Sequence, residues 1–96
     1  MTSDEFLASV DRLAEPPPLS PALRALWLVK KGRWDDAHDV VNELATPMGS
    51  WIHAHLHRIE GDLGNAGYWY ARAGRPAVGN RSDLDAEWNE LVAANL

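Results

Sequence analysis

Apolar residues recur along this chain at intervals of three and four, and no stretch alternates apolar and polar positions one by one. The first spacing lines one face of a helix, whereas alternation would line one face of a strand. The pattern therefore predicts an all-α protein. Phe6, Val10 and Leu13, with Leu7 beside them, make the first stripe. Thr2 and Glu5 ahead of it match a capping box, in which each side chain bonds the other residue's free backbone amide. Pro16-Pro17-Pro18 lacks amide hydrogens and disfavours helical geometry just before it, so this helix is predicted over 3–14.

Two hairpin-like units follow. Ser20-Pro21 reads as an N-cap and a proline-tolerant first position, followed by the apolar run Leu23, Leu26, Trp27, Leu28 and Val29. Gly32 breaks this helix. Asp35 and Asp36 then sit where a helix dipole favours negative charge, ahead of a stripe of Ala37, Val40, Val41 and Leu44. With Thr46-Pro47 read as its end, hairpin one spans 21–46. Hairpin two spans 50–75. Its first helix runs from Trp51 to Glu60, Gly61-Asp62 turns the chain, and Ala66, Trp69, Tyr70 and Ala73 stripe its second helix before Gly74-Arg75-Pro76. Residues 77–81 read as loop. Ser82 and Asp85 match a second capping box, opening a last helix over 82–94 with Leu84, Trp88, Leu91 and Val92 inward. The expectation is a single domain, 1–96, of about six short helices: two stacked hairpins flanked by N- and C-terminal capping helices.

The two hairpins echo one another. A shift of 29 positions brings Ala25 onto Ala54, Gly32 onto Gly61, Ala37 onto Ala66 and Pro47 onto Pro76, with apolar residues matching between them. Small residues thus recur in the middle of both helices of each unit, where backbones approach closely, and glycine recurs at the turn. Gly61, Ala66, Tyr70, Ala73 and Pro76 in one copy, and Gly32, Ala37, Val41, Leu44 and Pro47 in the other, follow the order of the tetratricopeptide repeat. About half the chain resembles that family, with a period shorter than the family's roughly 34 residues. The resemblance implies a scaffold that binds a protein or peptide segment in a concave groove, without catalytic activity. Its mapping sends Trp51, His55 and Arg58 into that groove, with Leu26 and Val29 alongside. Leu26 stands where the family's basic clamp for peptide C-termini has asparagine, so that ligand is not implied. A second copy of the chain filling the groove, giving a homodimer, is the other occupant considered.

Charge and composition narrow the field. A hydrophobic share of 46% beside 24% charged residues is that of a globular rather than a disordered chain. The formal charge of −5 argues against nucleic-acid binding, which draws on a basic face. The longest unbroken apolar run, Ala25 to Val29, is far short of a membrane span. No N-terminal targeting segment is read, and a cytoplasmic location is expected. With no cysteine, thiolate metal sites and disulfides are excluded.

One constellation carries candidate chemistry. His53, His57 and Glu60 fall at i, i+4 and i+7 of one helix, where two imidazoles and a carboxylate can hold a divalent metal such as zinc. The alternative function is accordingly a metal-binding protein or metal-dependent hydrolase. Set against it is a structural role for both histidines, packed near Tyr68–Tyr70 and hydrogen-bonded to a carbonyl, hydroxyl or carboxylate. No phosphate-cradling glycine loop, nucleophile elbow or dinucleotide fingerprint occurs, so no other cofactor is expected.

Overall fold

The most apolar helix of the chain is the one every neighbouring element packs around. In the computed structural model, which describes residues 1–96, the helices are α1 Ser3–Arg12, α2 Pro21–Lys30, α3 Trp34–Asn42, α4 Pro47–Glu60, α5 Leu63–Ala73 and α6 Leu84–Asn95, with no strand. α2 pairs with α3 and α4 pairs with α5; α2 and α3 lie on α4, while α1 and α6 close over α2. The all-α expectation of about six short helices holds.

Local chemistry explains most boundaries. Thr2 Oγ1 accepts from the Glu5 amide while Glu5 accepts from the Thr2 amide, the anticipated capping box. Ser20 caps α2 with Pro21 in its first turn. Gly32 and Gly61 turn the two hairpins at φ of 81° and 85°, a left-handed conformation that side-chain-bearing residues rarely adopt. Ala25, Ala37, Ala54 and Ala66 are fully buried, as expected for close helix–helix approach. Around them Phe6, Leu26, Trp27, Ile52, Leu56, Tyr70, Leu91 and Val92 fill the core.

Indole N–H groups tie the helices together. A buried indole must keep a hydrogen-bond partner, and here the partner is on another helix each time. Trp27 donates to Ser9 Oγ of α1 at 3.1 Å, Trp34 to the Leu56 carbonyl of α4 at 2.8 Å, and Trp88 to the Leu26 carbonyl of α2 at 2.9 Å.

Two boundaries differ from the reading of the sequence. Thr46-Pro47 opens α4 instead of closing α3: Thr46 Oγ1 accepts from the Gly49 amide at 3.0 Å, and Pro47 occupies the first turn. The pair repeats the Ser20-Pro21 chemistry, and α3 stops earlier, at Asn42. Hairpin two therefore begins three residues before 50, and Gly49 lies inside its helix, where a Cβ would stand 2.1 Å from the Leu44 carbonyl oxygen. The Ser82/Asp85 capping box does not form. The Ser82 amide and hydroxyl both bond Asn80 Oδ1, so the hydroxyl is spent inside the loop, and α6 begins from Asp83 in a left-handed conformation with φ of 58°.

Candidate functional site

α4 carries three histidines, and its two faces use them differently. His53 and His57, one turn apart, face α3 and α5; His55 faces α6. The first face gains a residue that the sequence pattern did not single out, His38 of α3. One nitrogen from each of His38, His53 and His57 lies within 4.8 Å of the other two. The Nε2 atoms of His38 and His53 are 3.0 Å apart. Two nitrogens on a tetrahedral ion roughly 2.0–2.1 Å away from each would lie about 3.3 Å apart, so this spacing needs little adjustment to hold a metal.

Aromatic walls fix the imidazoles. His53 stacks on Trp69 with centroids 3.7 Å apart, His38 stacks on Trp34 at 4.9 Å, and His53 and His57 stack on each other at 5.0 Å. His53 and His57 are buried, and His38 is half-buried. Burial, then the neighbouring imidazoles of His38 and His57, lower His53 to about 4, so near neutral pH its ring is uncharged with a lone pair to offer.

Outer partners set the remaining nitrogens. Glu60 Oε1 lies 2.6 Å from His57 Nδ1. A carboxylate only accepts, so His57 donates from Nδ1 and its Nε2 lone pair accepts from the Asn65 side-chain amide. Near that atom stands Asn65 of α5, its side-chain nitrogen 3.4 Å from His57 Nε2. Asn42 Nδ2 lies 3.3 Å from His38 Nδ1. Of the expected set His53, His57 and Glu60, Glu60 bonds Nδ1 of His57, and His38 converges with the two histidines. Glu60 and Asp62 also gather with His57 in a second, solvent-facing group.

The other face of α4, together with α2 beside it, holds the residues expected to line a partner groove. Trp51, His55, Arg58 and Leu26 are all buried and Val29 half-buried, because α6 of the same chain lies against them. Trp51 and Arg58 also line a cleft that remains between α4, α5 and α6. Glu87 of α6 takes a hydrogen bond or ion pair from three of these side chains, and no local pattern singles it out because its partners lie far off in the chain. His55 Nδ1 is 2.6 Å from Oε1, Arg58 donates to the same oxygen at 2.8 Å, and Trp51 donates to Oε2 at 3.3 Å. The Tyr70 hydroxyl donates to Oε2 in a short hydrogen bond. Burial alone would raise the Glu87 pKa, but hydrogen bonds from His55, Tyr70 and Trp51 outweigh it and hold the carboxyl near 2 against an ordinary 4.5. Arg58 completes the lock by donating to the Asn80 carbonyl at 2.9 Å and the Ser82 carbonyl at 2.5 Å, fastening the loop before α6.

No family model, curated protein or solved structure matches this chain. No helix is long and apolar enough to cross a membrane.

Proposed function

We propose that this protein binds a divalent transition metal, zinc above all, through His38, His53 and His57. The observation that supports the reading is the meeting of three imidazole nitrogens from two different hairpins, held by stacking against Trp34 and Trp69. Neutral imidazoles suit zinc, copper and nickel, and the absence of sulfur ligands removes the softest alternatives. Glu60 serves as the outer carboxylate that orients His57 and raises its basicity. Loading through both Nε2 atoms shifts the proton between His38 and His53 to an Nδ1 atom, and each bound imidazole stays neutral. The exposed Asn42 amide can turn its oxygen to accept from His38 Nδ1 once Nε2 is bound.

Equilibrium dialysis of tag-free protein against zinc tests this. One equivalent is expected for the parent chain, with stoichiometric binding lost in His38→Ala and in His57→Ala. Glu60→Gln should bind about 10- to 100-fold more weakly. Absence of zinc from the parent protein, or binding unaffected by His38→Ala, overturns the assignment.

A second reading keeps the chain as a tetratricopeptide-like interaction module, now through a cleft left between α4, α5 and α6. Trp51, Arg58, Tyr70, Arg75, Glu87 and Glu90 line it, and it encloses about 420 Å³. Arg75 lies over the Trp51 ring at 3.5 Å, presenting a cation and an acidic wall side by side. A mass that rises with concentration in sedimentation would favour a second copy as its occupant.

A further inference from the structure

We propose, resting on the metal reading, that the site's fourth position belongs to an exchangeable water or small monovalent anion, and that Asn65 holds that ligand. The argument begins with donor supply. His38, His53 and His57 contribute one nitrogen each, and the nearby Glu60 carboxylate is engaged by His57 Nδ1. Zinc prefers four ligands, and three protein donors leave one position to solvent or substrate, the arrangement of catalytic rather than structural sites. Asn65 donates its side-chain N–H to His57 Nε2 at 3.4 Å, and an ion taking that lone pair would free the amide for a ligand beside it.

Its placement is built into the fold. Asp62 Oδ1 accepts from the Asn65 backbone amide at 3.3 Å, so the residue sits in the first turn of α5, beside the last turns of α4. From there its side-chain NH2 can donate to an oxygen or nitrogen bound on the ion next to His57. A donor amide and a divalent charge both favour an anionic ligand. A cavity of about 350 Å³ reaches the cluster at His53, with Asn42, Trp69 and Arg72 also lining it.

Cobalt-loaded protein and azide supply the test, because tetrahedral cobalt has a visible spectrum that reports its ligands. The parent protein should take up one cobalt, show an intense tetrahedral band, and shift that band saturably as azide is added. Asn65→Ala should leave the cobalt dissociation constant within about twofold and raise that of azide about tenfold, the scale of one lost hydrogen bond to a charged group. Asn65→Asp should tighten cobalt binding and abolish the azide shift, its carboxylate having taken the open position. A cobalt spectrum indifferent to azide means the fourth position is filled by the protein and overturns the proposal. So does an Asn65→Ala protein that loses cobalt while its residual complex binds azide normally, since Asn65 would then be a ligand itself. Failure to load cobalt or zinc at all overturns the metal reading beneath it.

Discussion

Glu87→Ala is the substitution whose consequence the structure fixes most tightly. The Glu87 side chain is only 11% exposed and the Arg58 side chain facing it 2%. In the native chain its carboxyl is held near 2 rather than 4.5. A carboxyl held that far below its ordinary value corresponds to about 3 kcal/mol of native-state preference for the carboxylate, at about 1.4 kcal/mol per tenfold change in the proton equilibrium. Truncation to alanine also leaves the Arg58 guanidinium buried without its counter-charge, for which losses of about 3–5 kcal/mol are usual. A domain of this length has roughly 5–14 kcal/mol in total. The variant should therefore be folded but marginal, losing about 3–5 kcal/mol at pH 7.

The pH dependence gives the sharper test. Between the unfolded value and the native one, the unfolded chain carries the Glu87 proton and the native chain does not, so falling pH favours unfolding. The stabilisation is complete above about 4.5 and drains away as pH falls toward 2. At pH 3.5 about 1 kcal/mol of it should be gone from the parent, while Glu87→Ala has none to lose. Comparing the two proteins at matched pH cancels contributions from other titrating groups, including His53. Urea unfolding followed by tryptophan fluorescence at pH 7 and 3.5 reads both numbers. A penalty below about 1 kcal/mol at pH 7, or one unchanged at pH 3.5, would refute the account of Glu87 as the acceptor on which Trp51, His55, Arg58 and Tyr70 converge.

Two glycines inside helices should respond in opposite directions. Gly49→Ala places a methyl 2.1 Å from the Leu44 carbonyl oxygen, so the α3–α4 junction must open, costing about 1–3 kcal/mol and lowering Tm by several degrees in a thermal melt. Gly67→Ala meets nothing within 4 Å in the middle of α5 and should raise Tm, by the equivalent of about 0.5–1 kcal/mol. Equal effects from the two would mean that the junction is looser than the Thr46 cap and Leu44 contact imply.

What could be read from the sequence was local. The stripes Phe6/Val10, Ala37/Val41 and Ala66/Tyr70 are three- and four-residue periodicities, and each became a buried helix face. The caps at Thr2 and Ser20 bond residues three positions away, so they too were visible. Thr46-Pro47 was misplaced because the same dipeptide can end one helix or begin the next. The Thr46 hydroxyl settles it by capping the Gly49 amide, the same local bond that Ser20 makes to Leu23. The functional face fared the same way. His53 and His57 share a helix and were seen together, whereas their third partner lies across a hairpin junction. Yet His38 was not without a signal: Trp34 and His38 sit four apart on α3, as His53 and His57 do on α4, so each helix offers a paired aromatic face to the other.

Arg58 and His55 show the limit more sharply. Side chains of these types are assigned to a surface by default, because burying them alone is costly. Their burial becomes tolerable only through Glu87, 29 residues beyond Arg58 in the chain, whose carboxylate also collects Trp51 and Tyr70. No local pattern announces such a partner. Four donors on α4 and α5 with a single acceptor on α6 make the docking of α6 cooperative, since each of them loses a hydrogen bond when that acceptor is lost. The packing of α6 on α4 leaves the His38–His53–His57 face untouched, because the two sets of side chains leave α4 on different sides. Chemistry at the imidazoles and attachment of α6 can therefore be perturbed separately: Glu87→Ala should weaken folding without changing zinc stoichiometry in the folded protein, and His38→Ala should do the reverse.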